Sequence, residues 1–172
     1  MGKTLLVIDL QNDYFPGGKY PLWNAEGTLF AIEKVIGQAK LSRVPVVLVQ
    51  HIADETRGIS PFFNKGTEGA GLHPRVLAAV PEAPVIVKRF ADGFVGTPLE
   101  ETLDRLGTTD LLVCGMMTQN CVTHTAISKS AEKYRVVVLQ DCCAAVDEMI
   151  HNIALNALST RVVLAPWREV LP

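Results

Sequence analysis

Apolar residues run along this chain in two alternating patterns. Thr4 to Ile8, Val46 to Gln50, Pro84 to Lys88, Thr109 to Val113, Arg135 to Gln140 and Arg161 to Leu164 are short apolar runs with no polar alternation. Runs of that kind read as strands buried on both faces. Between them, apolar positions return at helical spacing. Leu29, Ile32, Val35, Ile36 and Ala39 follow a capping Asn24. Leu99, Leu103 and Leu106 follow Thr97 or Pro98 and stop at Gly107. Val122, Ala126, Ile127, Ala131 and Tyr134 recur at helical spacing, Met149, Ile153, Ala157 and Leu158 mark the last helix, and Val76 to Val80 reads as a short helix. Strands alternating with helices predict a parallel sheet covered on both faces, a doubly wound α/β domain with right-handed crossovers. Residues 1–172 read as one such domain, without repeat or linker. The stretch from His51 to Pro74 breaks the rhythm with many glycines and prolines. Irregular segments this long inside a domain are commonly functional, and this one is expected to close a pocket.

Composition narrows the class. Hydrophobic residues make up 48% and charged residues 20%, as in a soluble globular protein, and a net charge of −2 offers no general attraction for nucleic acid or acidic membranes. The first apolar run ends at Asp9, too short for a signal peptide, and no stretch approaches a membrane span. Four cysteines with no secretory signal predict reduced thiols and a cytoplasmic location, and their spacing forms no zinc pattern. No Gly-x-Gly-x-x-Gly or Walker A sequence follows the first strand, which argues against a bound nucleotide. The expected partner is a small-molecule substrate.

The candidate chemistry gathers at strand carboxyl ends, which a parallel sheet brings to one edge. Asp9 ends the first strand, Lys88 ends the third, and Cys121 follows the fourth within Cys114-Gly115-Met116-Met117-Thr118-Gln119-Asn120-Cys121. Each has a plain reading alone: a turn-capping aspartate, a solvated lysine, a small core cysteine. Together they make a set for nucleophilic catalysis, since a carboxylate can take a thiol proton and an ammonium can hold both by charge. Thr118 is expected to cap the following helix and place Cys121 in its first turn. There the free N–H groups favour a thiolate and can receive an oxyanion.

Three segments also carry a resemblance. Asp9-Leu10-Gln11-Asn12-Asp13-Tyr14, Lys88-Arg89-Phe90-Ala91-Asp92-Gly93-Phe94 and Gly115-Met116-Met117-Thr118-Gln119-Asn120-Cys121-Val122 resemble the signature segments of the isochorismatase-like cysteine hydrolases, which include nicotinamidases, carbamoylsarcosine amidases and isochorismatases. Gly66 to Gly69 and Asp141 to Ala145 resemble further family segments. The resemblance implies a Rossmann-like three-layer sandwich with a six-stranded sheet ordered 3-2-1-4-5-6. It implies a catalytic triad of Asp9, Lys88 and Cys121. It also implies a cis peptide between Met116 and Met117 and an oxyanion hole from the Met117 and Cys121 N–H groups. The implied reaction is acyl transfer through a thioester on Cys121, with Asp9 carrying the proton.

Gln11, Tyr14 and Phe94 are expected to line the substrate pocket. His124, three residues after Cys121, offers a rival Cys–His dyad. The nicotinamidases carry a metal-binding Asp-x-His after the second strand. Here that place reads Gln50-His51-Ile52-Ala53-Asp54, and Asp54 and His73 have the wrong spacing, so no metal or other cofactor is expected. True isochorismatases hydrolyse a vinyl ether without the cysteine, so Cys121 favours cleavage of an amide or other C–N bond. Vinyl-ether hydrolysis and a catalytically idle metabolite- or partner-binding protein are the alternatives. Cys142-Cys143 reads as a small-residue turn, Trp23 and Trp167 as core or interface, and a homo-oligomer is expected, with the apolar tail Val162 to Trp167 supplying contacts.

Overall fold

The computed structural model describes residues 2–171. Six strands, β1 (Gly2–Ile8), β2 (Val46–His51), β3 (Val85–Lys88), β4 (Thr108–Met116), β5 (Arg135–Ala144) and β6 (Val163–Ala165), form one sheet ordered β3-β2-β1-β4-β5-β6. Every pairing is parallel. The helices are α1 (Ala25–Leu41), α2 (Pro74–Ala79), α3 (Leu99–Arg105), α4 (Thr123–Ala126), α5 (Glu148–Leu158) and α6 (Trp167–Val170).

The unbroken apolar runs follow from two cores. Leu5, Val7, Leu48 and Leu112 face one side of the sheet, where Leu29, Ile32, Val35 and Ile36 of α1 pack. Leu6, Ile8, Val49, Leu111 and Val113 face the other, against Leu99 and Leu103 of α3 and Val122. Successive strand residues point to opposite faces, so a strand between two cores has no position for a polar residue. Each fully buried Leu, Ile or Val contributes about 1.5–3 kcal/mol by leaving water.

The details differ from the pattern in three places. Asn24 stands at the start of α1, but in a left-handed conformation, and its side chain caps nothing. Tight capping occurs instead at α5, where Asp147 accepts from the Ile150 N–H at 2.8 Å. The helix expected over Val122 to Tyr134 is broken into a π turn (Thr118–Val122), the one-turn α4 and a 3-10 turn (Lys129–Lys133). Its threonines bond elsewhere: Thr123 Oγ1 donates to the Thr118 carbonyl at 2.6 Å, and Thr125 Oγ1 accepts from the Gly93 N–H at 2.9 Å. Such bonds compete with helix continuation. The apolar positions are nonetheless buried, Val122, Ala126, Ala131 and Tyr134 among them.

β4 and β5 also outrun their apolar cores, and the expected exit loop at Asp141 is strand as far as Ala144. Gly115 makes the extension possible. Its φ is +126°, and a Cβ there would run into the Ile8 carbonyl of β1. The β4–β5 register shifts at this point and resumes with Gly115 beside Cys143 and Met116 beside Ala144.

The stretch after β2 is ordered against the loop that leaves β1. Asn12 N–H donates to the Gly71 carbonyl at 2.9 Å, and His73 N–H to the Leu10 carbonyl at 2.7 Å. Phe63 is buried and meets Tyr14 edge-on, with ring centroids 4.6 Å apart.

Candidate active site

Four strand ends meet at one edge of the sheet. Asp9 leaves β1 with φ of 53°, and its N–H donates to the Val49 carbonyl of β2 at 3.0 Å. A left-handed conformation is tolerated by aspartate better than by most residues. Lys88 closes β3 at the sheet margin, in register with His51 at the end of β2. Its side chain reaches across β2 to the ends of β1 and β4. The ammonium stands 2.8 Å from Asp9 Oδ2 and 3.1 Å from Cys121 Sγ. A four-carbon stem has the length for this crossing. Asp9 is 0% exposed, Lys88 1% and Cys121 3%, so the three expected residues meet out of water.

The hydrogen bonds of the ammonium are divided in an informative way. Lys88 Nζ bonds Cys121 Sγ at 3.1 Å, the Phe90 carbonyl at 3.1 Å and His51 Nδ1 at 2.9 Å. An ammonium has three N–H groups, and these acceptors share them with Asp9. Asp9 Oδ2 is the nearest of its neighbours, at 2.8 Å, and the carboxylate faces both the ammonium and the sulfur.

Electrostatics corrects the expectation of a resting thiolate. Burial pushes the Cys121 thiol up, the Asp9 charge pushes it further, and Lys88 only partly opposes them. The local helix is a π turn followed by a single α-helical turn, so little dipole is available to offset burial. The balance favours the thiol over the thiolate, with a carboxylate beside it. Burial works against the charge on Lys88, but Asp9 and Cys121 outweigh it, and Lys88 is held above its ordinary value as an ammonium.

The other expected residues divide. Met116–Met117 is a cis peptide, and Met117 immediately precedes the turn that contains Cys121. Thr118 does not cap it: its hydroxyl bonds His151 Nδ1 of α5 at 2.9 Å. Tyr14 is buried near the site, where burial and then the charges of Asp9 and Cys121 hold its phenol protonated far above the usual range. Gln11 is buried beside the β1 exit, with its amide engaged by backbone. Its Nε2 donates to the carbonyls of His51 and Ala70, both at 2.8 Å, and its Oε1 accepts from the His51 N–H at 2.8 Å. Phe94 stacks on Tyr134, with centroids 6.3 Å apart, in the core that also holds Cys121. His124 bonds the Asn120 carbonyl at 2.9 Å and forms no pair with the sulfur. Cys142 and Cys143 are buried strand residues, the latter pushed up to about 12 by burial.

The residues at the place of the nicotinamidase metal do not make a donor set. Gln50 Nε2 bonds the Ala70 carbonyl at 2.8 Å, Asp54 caps its own turn at Thr56, and His73 caps α2. Asp9, His51 and Cys121 do bring ligating atoms within 4.8 Å of one another. The Lys88 ammonium lies against all three, and a second cation there would meet its charge. His51 itself is the residue that sequence reasoning missed. It ends β2 on the same edge as Asp9 and Lys88, and the only local signal for it is its place at a strand carboxyl end.

Residues 3–165 match the isochorismatase domain model. The chain is 39% identical over 144 residues to the uncharacterized isochorismatase family protein YddQ of Bacillus subtilis, covering 84% of this chain and 78% of that one. It is 28% identical to the maleamate amidohydrolase of Pseudomonas putida over 152 residues, 81% of this chain and 70% of that one. An isochorismatase family protein from Desulfovibrio vulgaris superposes with a TM-score of 0.87 at 26% identity, covering 98% of this chain and 95% of that one. Sequence and fold agree from end to end of the sheet, and the chain belongs to the isochorismatase family of hydrolases.

Proposed function

We propose that the protein is a cysteine hydrolase that cleaves a small amide or related C–N bond through a thioester on Cys121. The observation that carries this reading is the buried contact of one ammonium with a carboxylate at 2.8 Å and a thiol sulfur at 3.1 Å. Asp9, placed against the ammonium and the thiol, takes the Cys121 proton as the sulfur attacks the substrate carbonyl. Lys88 balances the negative charge that moves from carboxylate to sulfur. The Met117 and Cys121 N–H groups receive the tetrahedral oxyanion. Asp9 hands its proton to the leaving nitrogen, the C–N bond breaks, and a thioester remains. Water then gives a proton to Asp9 and attacks the thioester. Collapse releases the acid, and the proton returns to sulfur. The amidohydrolase among the relatives supports the reaction class.

A panel of small primary amides, carbamoyl compounds and isochorismate, assayed for ammonia and pyruvate, tests the reading. Ammonia release is expected, with Cys121→Ala, Asp9→Asn and Lys88→Ala each losing on the order of a thousandfold. Intact mass should trap an acyl group on Cys121. Pyruvate release that survives Cys121→Ala would replace amide hydrolysis by vinyl-ether hydrolysis. EDTA should leave the ammonia rate unchanged, and loss of activity restored by a divalent metal would show a metal role that the Lys88 charge argues against.

A further inference from the structure

We propose that His151 is a positioning residue that holds the Cys121 turn through Thr118, so that the Met117 and Cys121 N–H groups stand aimed at the oxyanion before substrate arrives. The inference rests on the hydrolase reading for its functional half and on geometry for the rest.

The turn Thr118–Val122 has few means of holding its own shape. It is a π turn followed by the one-turn α4, and wide turns of this kind are frequent at functional sites. Its first carbonyls are bonded locally. The Met117 carbonyl accepts from the Asn120 and Val122 N–H groups at 3.1 and 3.2 Å, and the Thr118 carbonyl accepts from Thr123 Oγ1 at 2.6 Å. Among the described residues, two side-chain hydrogen bonds tie the turn to distant elements. Lys88 Nζ reaches the Cys121 sulfur from β3 at 3.1 Å, and His151 Nδ1 of α5 meets the Thr118 hydroxyl at 2.9 Å. The first grips the sulfur. The second grips a residue that lies between Met117 and Cys121, whose N–H groups receive the oxyanion in this reading.

The bond is placed where it can set geometry. Thr118 is 0% exposed and His151 8%. A buried hydroxyl and a buried imidazole are both costly without a partner, so the pair favours the one orientation of the turn in which they meet. The imidazole is itself held, with the Trp23 ring at 5.8 Å and the Trp23 N–H bonded to the Ala145 carbonyl at 3.1 Å. Burial lowers the His151 pKa, with Glu148 opposing. A neutral imidazole and a hydroxyl can each donate or accept, so the tie holds in either tautomer. An asparagine amide has the same freedom. Oxyanion donors act at full strength only about 2.7–3.1 Å from the charge, so a turn that drifts loses rate without losing the sulfur.

Kinetics and two probes of Cys121 test this. On any panel amide that the wild type hydrolyses, His151→Leu should lower kcat on the order of thirtyfold with KM changed by less than about threefold. His151→Asn should recover most of that loss. Thr118→Val breaks the same bond from its other end and takes the place of His151→Leu if that variant does not fold. The double variant should stay within about threefold of either single one. The aldehyde analogue of the same amide separates the oxyanion donors from the sulfur. Cys121 adds to its carbonyl carbon, the thiol proton passes to Asp9, and the carbonyl oxygen becomes the oxyanion. Its Ki should rise on the order of tenfold in His151→Leu. Iodoacetamide needs the sulfur alone and should label Cys121 within about twofold of the wild-type rate. A His151→Leu kcat within about twofold of wild type, a His151→Asn no better than His151→Leu, or alkylation that falls as far as kcat would each overturn the inference while leaving the Cys121 hydrolase intact. A wild type inert on the whole panel would instead remove the hydrolase reading and the positioning role with it.

Discussion

At the scale of single residues, the Cys121 sulfur is governed by two opposite charges. Asp9 pushes its pKa up and Lys88 pulls it down, on top of a larger upward push from burial. The sign of each substitution follows. Asp9→Asn removes the upward charge, so the thiolate fraction at a given pH rises even as turnover is lost. Lys88→Ala removes the downward charge, so the thiolate fraction falls. Iodoacetamide labelling of Cys121, followed by peptide mass against pH, should therefore be faster in Asp9→Asn than in wild type and slower in Lys88→Ala. Equal rates in all three would show that neither charge reaches the sulfur. The expectation of an activated thiolate was sound for a cysteine at an open helix start. It failed because burial is a property of the assembled sheet edge, and no local motif reports it.

At the scale of elements, the turn chemistry outside the apolar runs decides how the site is held. Gln11 joins the β1 exit to both ends of the long segment through His51 and Ala70. Gln11→Ala would leave the His51 N–H without its acceptor, and a buried orphan costs about 1–3 kcal/mol. Gln50→Ala should cost less, because the Ala70 carbonyl keeps its Gln11 bond. Urea denaturation of the two variants checks the order, and a larger loss for Gln50→Ala would contradict it. Gly115→Ala should be worse than an ordinary strand substitution, since the site demands both a positive φ and no Cβ against Ile8. A loss of at least about 2 kcal/mol, or failure to accumulate folded protein, is expected.

At the scale of the whole molecule, the four cysteines share one consequence of burial. Cys114, Cys121, Cys142 and Cys143 are all raised above their ordinary value of 9.0, with burial the largest cause in each. Above that pH the unfolded chain releases protons that the folded chain keeps, so the unfolded state binds fewer and stability falls as pH rises. The stabilising contribution is complete below 9.0 and lost above it. The urea midpoint should drop between about pH 8 and pH 10, and the drop should shrink in Cys114→Ala. A midpoint flat across that window would mean that the thiols are hydrated in the folded state.

The sequence by itself determined the sheet, its two covered faces and the placing of Asp9, Lys88 and Cys121 at one sheet edge. Apolar periodicity is a local record of burial, and three motifs at strand ends survive translation into any parallel sheet. Strand order 3-2-1-4-5-6 was legible through family resemblance, because connection handedness limits topology without choosing it. Only the tertiary structure decided that the Val122 to Tyr134 face is a broken helix, because the threonine bonds to Gly93 and Thr118 come from packing. Only it showed the Gln11 amide clamping the His51 and Ala70 backbone, and the burial that pushes the Cys121 thiol up. The place of His51 was likewise decided there. Its partner lies 37 residues away on the edge strand, and the register that sets His51 beside Lys88 is written in neither segment alone.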